Sequence, residues 1–64
     1  MALEVNGASL PIAQLGPDFL FLRKTLTQPP TEATIVMQID GNERRWTVTL
    51  PDGIAEGVER VRVE

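Results

Sequence analysis

Ser9 is the only serine and Lys24 the only lysine of this 64-residue chain, which has neither histidine nor cysteine. The commonest general base and the strongest nucleophile are therefore both missing. A Ser9–Lys24 couple would need a desolvated lysine, yet Lys24 follows Arg23 at the end of an apolar run, where its ammonium stays in water. The aspartates sit in turn sequences, as Pro17-Asp18, Asp40-Gly41 and Asp52-Gly53. Aspartate suits such places because its side chain caps local N–H groups and tolerates turn geometry. Nothing in their spacing brings two carboxylates to one cleft. Asp40-Gly41-Asn42 lacks the alternating oxygen ligands and terminal glutamate of a calcium loop. The five glycines are dispersed, with no strand–loop–helix context for a phosphate. No catalytic set can be assembled, and the expectation is a non-enzyme with no metal and no cofactor.

Binding chemistry leaves two readings. Arg23-Lys24, Arg44-Arg45 and Arg60 with Arg62 are the basic pairs, and Trp46 adjoins Arg45. A small β-surface could stack bases on an aromatic ring and neutralise phosphate with such groups. Acidic neighbours flank these pairs, however, as in Glu43-Arg44-Arg45 and Glu59-Arg60, and nine acidic residues against six basic leave a net charge of −3. That balance solubilises a protein and is not the footprint of a nucleic-acid binder. The favoured partner is therefore protein, with nucleic acid as the rival reading through Arg23, Lys24, Arg44, Arg45 and Arg60.

The elements that position these groups are short strands. Turn residues recur at Asn6-Gly7, Gly16-Pro17-Asp18, Pro29-Pro30, Asp40-Gly41-Asn42, Pro51-Asp52-Gly53 and Gly57, with β-branched segments between them. That punctuation predicts a single all-β domain over residues 1–64, a small barrel or sandwich of five to six mostly antiparallel strands. Ala33 to Ile39 and Glu43 to Leu50 form the best-specified hairpin. A Gly41-Asn42 loop sets Ile39 against Arg44, Met37 against Trp46, Ile35 against Val48 and Ala33 against Leu50. A loop at Asp40-Gly41 slides the register by two and keeps the same faces. Either way Ile35, Met37, Ile39, Trp46, Val48 and Leu50 point inward, because a one-residue slip would exchange them for threonines and arginine. The outer face carries Thr34, Val36, Gln38, Arg45, Thr47 and Thr49.

Asn6-Gly7 predicts a second tight turn, with Val5 beside Ala8 and Leu3 beside Leu10. A strand over residues 9 to 12 is expected to continue it, followed by an irregular or 3₁₀ segment to Pro17. The competing reading makes Ser9 a helix N-cap with Pro11 in the first turn. Pro29-Pro30 reads as an extended link. Val58 to Glu64 ends in a strand with Val61 and Val63 inward and Arg60 and Arg62 outward; a single helical turn over Ala55 to Arg60 is opposed by Gly57.

Phe19-Leu20-Phe21-Leu22 is apolar on both faces, so its second side needs a cover. Either a packed loop such as Ala13 to Gly16 or a partner subunit can supply one. Chains of this length bury only about 60% of their unfolded surface, and this one has no disulfide to compensate. Sharing a core with a second copy is the remaining remedy, so a homodimer or higher assembly is expected over a monomer of modest stability. The expected partner surface comprises Phe19, Phe21, Thr34, Val36, Arg45, Thr47 and Thr49. The N-terminus has no basic region and no long apolar run, and no segment spans a membrane. The sequence therefore reads as a soluble, cytoplasmic interaction module.

Overall fold

The computed structural model describes residues 1–64 as six strands. They are β1 (Ala2–Val5), β2 (Ala8–Leu15), β3 (Phe19–Leu22), β4 (Thr31–Ile39), β5 (Asn42–Leu50) and β6 (Arg60–Arg62). All pairings are antiparallel, in one sheet of order β5-β4-β1-β2-β3-β6. The all-β class holds, and the strand ladder is a single sheet that is not closed. No ladder joins its end strands β5 and β6; beyond β6, Glu64 exchanges backbone hydrogen bonds with Thr49 of β5, both at 2.8 Å.

Two tight turns set the register. Asn6 and Gly7 have φ of 47° and 84°, and Asp40 and Gly41 have 50° and 80°. Positive φ at both central positions is the type I′ geometry, whose twist matches that of the strands it joins. The first turn pairs Val5 with Ala8 and Leu3 with Leu10 as the sequence predicts. In the main hairpin the loop is Asp40-Gly41, so Ile39 pairs with Asn42, Ile35 with Trp46 and Ala33 with Val48. The Gly41-Asn42 loop is thus corrected to the Asp40-Gly41 alternative, with the register slid by two. Asp40 tolerates the left-handed conformation and Gly41 takes the larger positive φ, which frees Asn42 to begin β5.

Beyond Ile12, β2 departs from expectation. The strand runs on to Leu15 with an irregularity between Ile12 and Gln14, in place of an irregular segment or a Ser9-capped helix. The extra residue, Ala13, shifts the alternation so that Leu15 pairs with Leu20 on the inner face. The Gly16 N–H then donates to the Phe19 carbonyl at 2.8 Å and closes the turn into β3. Pro11 sits within the strand without penalty. Its missing N–H would face away from β1, at the end of β3, where the Arg23 N–H donates to the Pro11 carbonyl at 2.9 Å.

The core consists of Leu3, Val5, Leu10, Ile12, Leu20, Leu22, Ala33, Ile35, Val48, Leu50, Ile54, Val61 and Val63, with no buried polar side chain. Every strand contributes through its alternate positions, and no helix is present to cover the face they form. The sheet must therefore coil over its own inner side. Residues 23–30 help close one end, with Leu26 packed on the core and Gln28 bonded both ways to Ile54 at 2.9 Å. The Gly57 N–H donates to Thr25 Oγ1 at 2.8 Å, fixing the turn that takes the place of a helical one before β6. Val61 and Val63 are buried and Arg60 and Arg62 exposed, as the alternation requires.

Two glycines with positive φ differ in what surrounds them. Gly57 has φ +84° with open space around a would-be Cβ, whereas Gly53 has φ +65° with the Gln28 carbonyl oxygen and Pro29 backbone in that place. Gly53→Ala should therefore cost at least about 3 kcal/mol, against about 1 kcal/mol for Gly57→Ala, in urea-denaturation midpoints. Leu3→Ala, at a side chain with no exposure, should cost about 3 kcal/mol by the same measurement.

Candidate interaction surface

The hairpin of β4 and β5 places the expected outer-face residues together. Thr34 stands opposite Thr47, Val36 opposite Arg45, and Glu32 opposite Thr49. On the other side of β4, Glu4 pairs with Thr34. Arg45 therefore reaches diagonally across β4, where its Nη1 meets Glu4 Oε1 at 2.9 Å, while its Nε donates to Glu43 Oε2 at 2.9 Å. Hydrogen bonding to Glu43, then to Glu4, holds the Arg45 pKa above its ordinary value. All three side chains are nearly half exposed, so this cluster is screened by solvent and acts on orientation more than on stability.

Phe19 and Phe21 lie on the outer face too, but on β3, beside the end strand β6 and three places from β4 in the strand order. They form a patch separate from the threonines. Their rings meet edge to face, with centroids 5.6 Å apart at 81°. The Arg60 guanidinium lies 4.9 Å from the Phe19 ring centroid, and Gly16 leaves room beneath the same ring, since a Cβ there would lie 2.5 Å from it. The loop end at Gly16 and the arginine of β6 thus cover part of the second face of β3, and both rings stay half-buried.

The sequence reading missed a third surface. Met37, Ile39 and Trp46 share the inner face with Ile35 and Val48, as expected, yet they are not part of the core. Trp46 is 39% exposed and Ile39 47%, and Met1, which precedes β1 one step beyond the Ala2–Val36 pair, is 45% exposed. The reason is strand length. β4 and β5 have nine residues each, whereas β1 has four and β6 three. The long hairpin carries its apolar face past the part of the sheet that curls over it. Alternation fixed the direction of these side chains; coverage depends on distant strands and left no local signal. Unequal strand lengths in the sequence were the available hint. Arg44, opposite Met37, stands at the border of this patch.

The groups weighed for catalysis remain scattered. Ser9 and Lys24 are both exposed. Asp52 and Glu64 flank Arg62 at 3.6 and 3.1 Å, Asp40 occupies the main turn, and no three acidic side chains gather where they could hold a metal ion. Arg45 is committed to Glu4 and Glu43, and Trp46 projects from the opposite face, so these two cannot form one stacking and phosphate-binding site. No helix is long and apolar enough to cross a membrane. No protein-family model matches the chain, and no curated protein or solved structure matches it significantly.

Because Trp46 lies in the uncovered part of the inner face, Trp46→Ala should cost less than half of what Leu3→Ala does in urea denaturation. Its fluorescence in dilute native protein should be readily quenched by acrylamide. A shielded indole in dilute protein would mean that the tip folds back onto the core.

Proposed function

We propose that this chain is a non-catalytic interaction module that assembles with itself through the apolar surface left open on its main hairpin. The observation that carries the reading is that exposed Met1, Ile39 and Trp46 surround half-buried Met37 on one face of adjoining strands. Isolated exposed apolar residues are ordinary, but several together, continuous with a core and bordered by a charged side chain, mark a surface that a partner covers. The absence of histidine and cysteine and the dispersal of the carboxylates favour binding over chemistry. The reciprocal bonds between Thr49 and Glu64 support reading the coiled sheet as a small, partly closed barrel.

The expected outer-face site, Phe19, Phe21, Thr34, Val36, Arg45, Thr47 and Thr49, ranks second in this reading. Its aromatic pair already has partial cover from Gly16 and Arg60, and its arginine is held by two carboxylates. At the inner-face tip, Ile39 and Trp46 are left more exposed than either ring.

Sedimentation equilibrium tests the proposal. A monomer–dimer equilibrium with a dissociation constant in the micromolar range is expected, since a small interface between 64-residue chains is a modest one. Trp46→Glu should shift it toward monomer while leaving the fold intact. A strictly monomeric protein at several hundred micromolar overturns the reading. Salt-sensitive capture of a labelled oligonucleotide by such a monomer would favour the nucleic-acid alternative instead.

A further inference from the structure

The free side of β5 is open in one stretch and sealed in another. Thr49 exchanges hydrogen bonds with Glu64, which shows that its N–H and C=O point away from β4. Backbone direction alternates along a strand, so Thr47, Arg45 and Glu43 point the same way. Their outward groups have no backbone partner, because β5 is an end strand and its backbone bonds beyond β4 are confined to its end, with Glu64 at Thr49 and with Gly53 at Leu50. An unpaired run of this kind is a template for another strand.

We propose that the occupant of this edge is β5 of a second copy, paired antiparallel about a two-fold axis at Arg45. The inference rests on the self-association reading and assigns its geometry. Only this register uses the whole open run: Arg45 faces its own counterpart and Glu43 faces Thr47 of the second copy, giving about six new backbone hydrogen bonds. A shift by one step toward Leu50 would pair Glu43 with a Thr49 that Glu64 already holds.

Charge complementarity selects the same arrangement. On the inner face Arg44 comes to stand opposite the second copy's Trp46, twice by symmetry, so each indole receives a guanidinium as its cross-strand neighbour. On the outer face Glu43 lies diagonal to the second copy's Arg45. The one like-charged pair, Arg45 with itself, is already neutralised on each side. Arg45 is drawn inward over β4 by Glu4, away from the edge, and is also bonded to Glu43. The three consecutive charges Glu43-Arg44-Arg45 would protect the edge against an arbitrary strand but match their own reversed copy. The pairing also sets the two open patches around Trp46 side by side on one continuous face, as a C2 interface requires.

Thr47→Pro tests this directly. The group lost is the Thr47 backbone N–H, which points away from β4, so the change removes no ladder hydrogen bond within the chain and is of the kind edge strands accept. It should weaken dimerisation at least about 10-fold by sedimentation equilibrium, with the urea transition retained. As an independent readout that needs no proline, a nitroxide on Thr47→Cys should report a label-to-label distance of roughly 15–25 Å in the dimer. A wild-type dimer with labels farther apart than about 30 Å, or one that a folded Thr47→Pro variant leaves unweakened, overturns the edge pairing while self-association stands. A monomeric wild type overturns both.

Discussion

One constraint governs this molecule: a single antiparallel sheet must hide its apolar face by its own curvature, helped only at one end by residues 23–30. There is no helix, no second sheet and no cross-link to do it. The thirteen core side chains come from alternate positions of all six strands and from Ile54 and Val63 outside them. Each is apolar, none carries a polar atom in need of a partner, and so the interior depends on packing alone. Curvature comes from the twist natural to β-strands, sharpened at Ala13, where the extra residue in β2 lets the sheet turn toward β3.

The turns make that coil possible because they leave little freedom in register. At Asn6-Gly7 and Asp40-Gly41 the left-handed backbone fixes which residues pair across each hairpin, and a slip by one would send the apolar set into water. Gly53 acts differently. It lets the chain pass against the backbone of Gln28 and Pro29, so that Ile54 can enter the core from a connection otherwise exposed. Residues 23–30 become a lid over one end of the coil, held by backbone bonds at Gln28 and by the Thr25 hydroxyl.

Self-coverage has a limit. Short strands can protect only a short length of their neighbours, and the main hairpin is longer than any strand that curls across from it. Its tip keeps inward-pointing methionine, isoleucine and tryptophan that the chain covers only in part. The same geometry leaves β5 with one sealed and one open stretch of backbone. Uncovered apolar face and unpaired edge thus coincide at the same end of the protein, and they share one origin in strand length. That coincidence is what favours a binding role over a catalytic one, since the polar side chains of the molecule are dispersed among turns and surface ion pairs.

By itself the sequence determined the local facts. Its turn dipeptides and two-residue alternation gave the all-β class, the hairpin at Asn6-Gly7, the facing of Ile35, Val48 and Leu50, and the final strand with Val61 and Val63 inward, because these follow from backbone conformation over a few residues. Alternation also left two registers open for the main hairpin, and turn geometry chose between them. The tertiary structure alone decided that β2 continues through Ala13 to Leu15, that β1 lies between β4 and β2, and that Phe19 rests over Gly16 beneath Arg60. It also decided that Trp46 and Ile39, though turned inward, stay exposed. Direction is a property of a strand, whereas burial is a property of what lies across from it, and the second is set by residues far away along the chain.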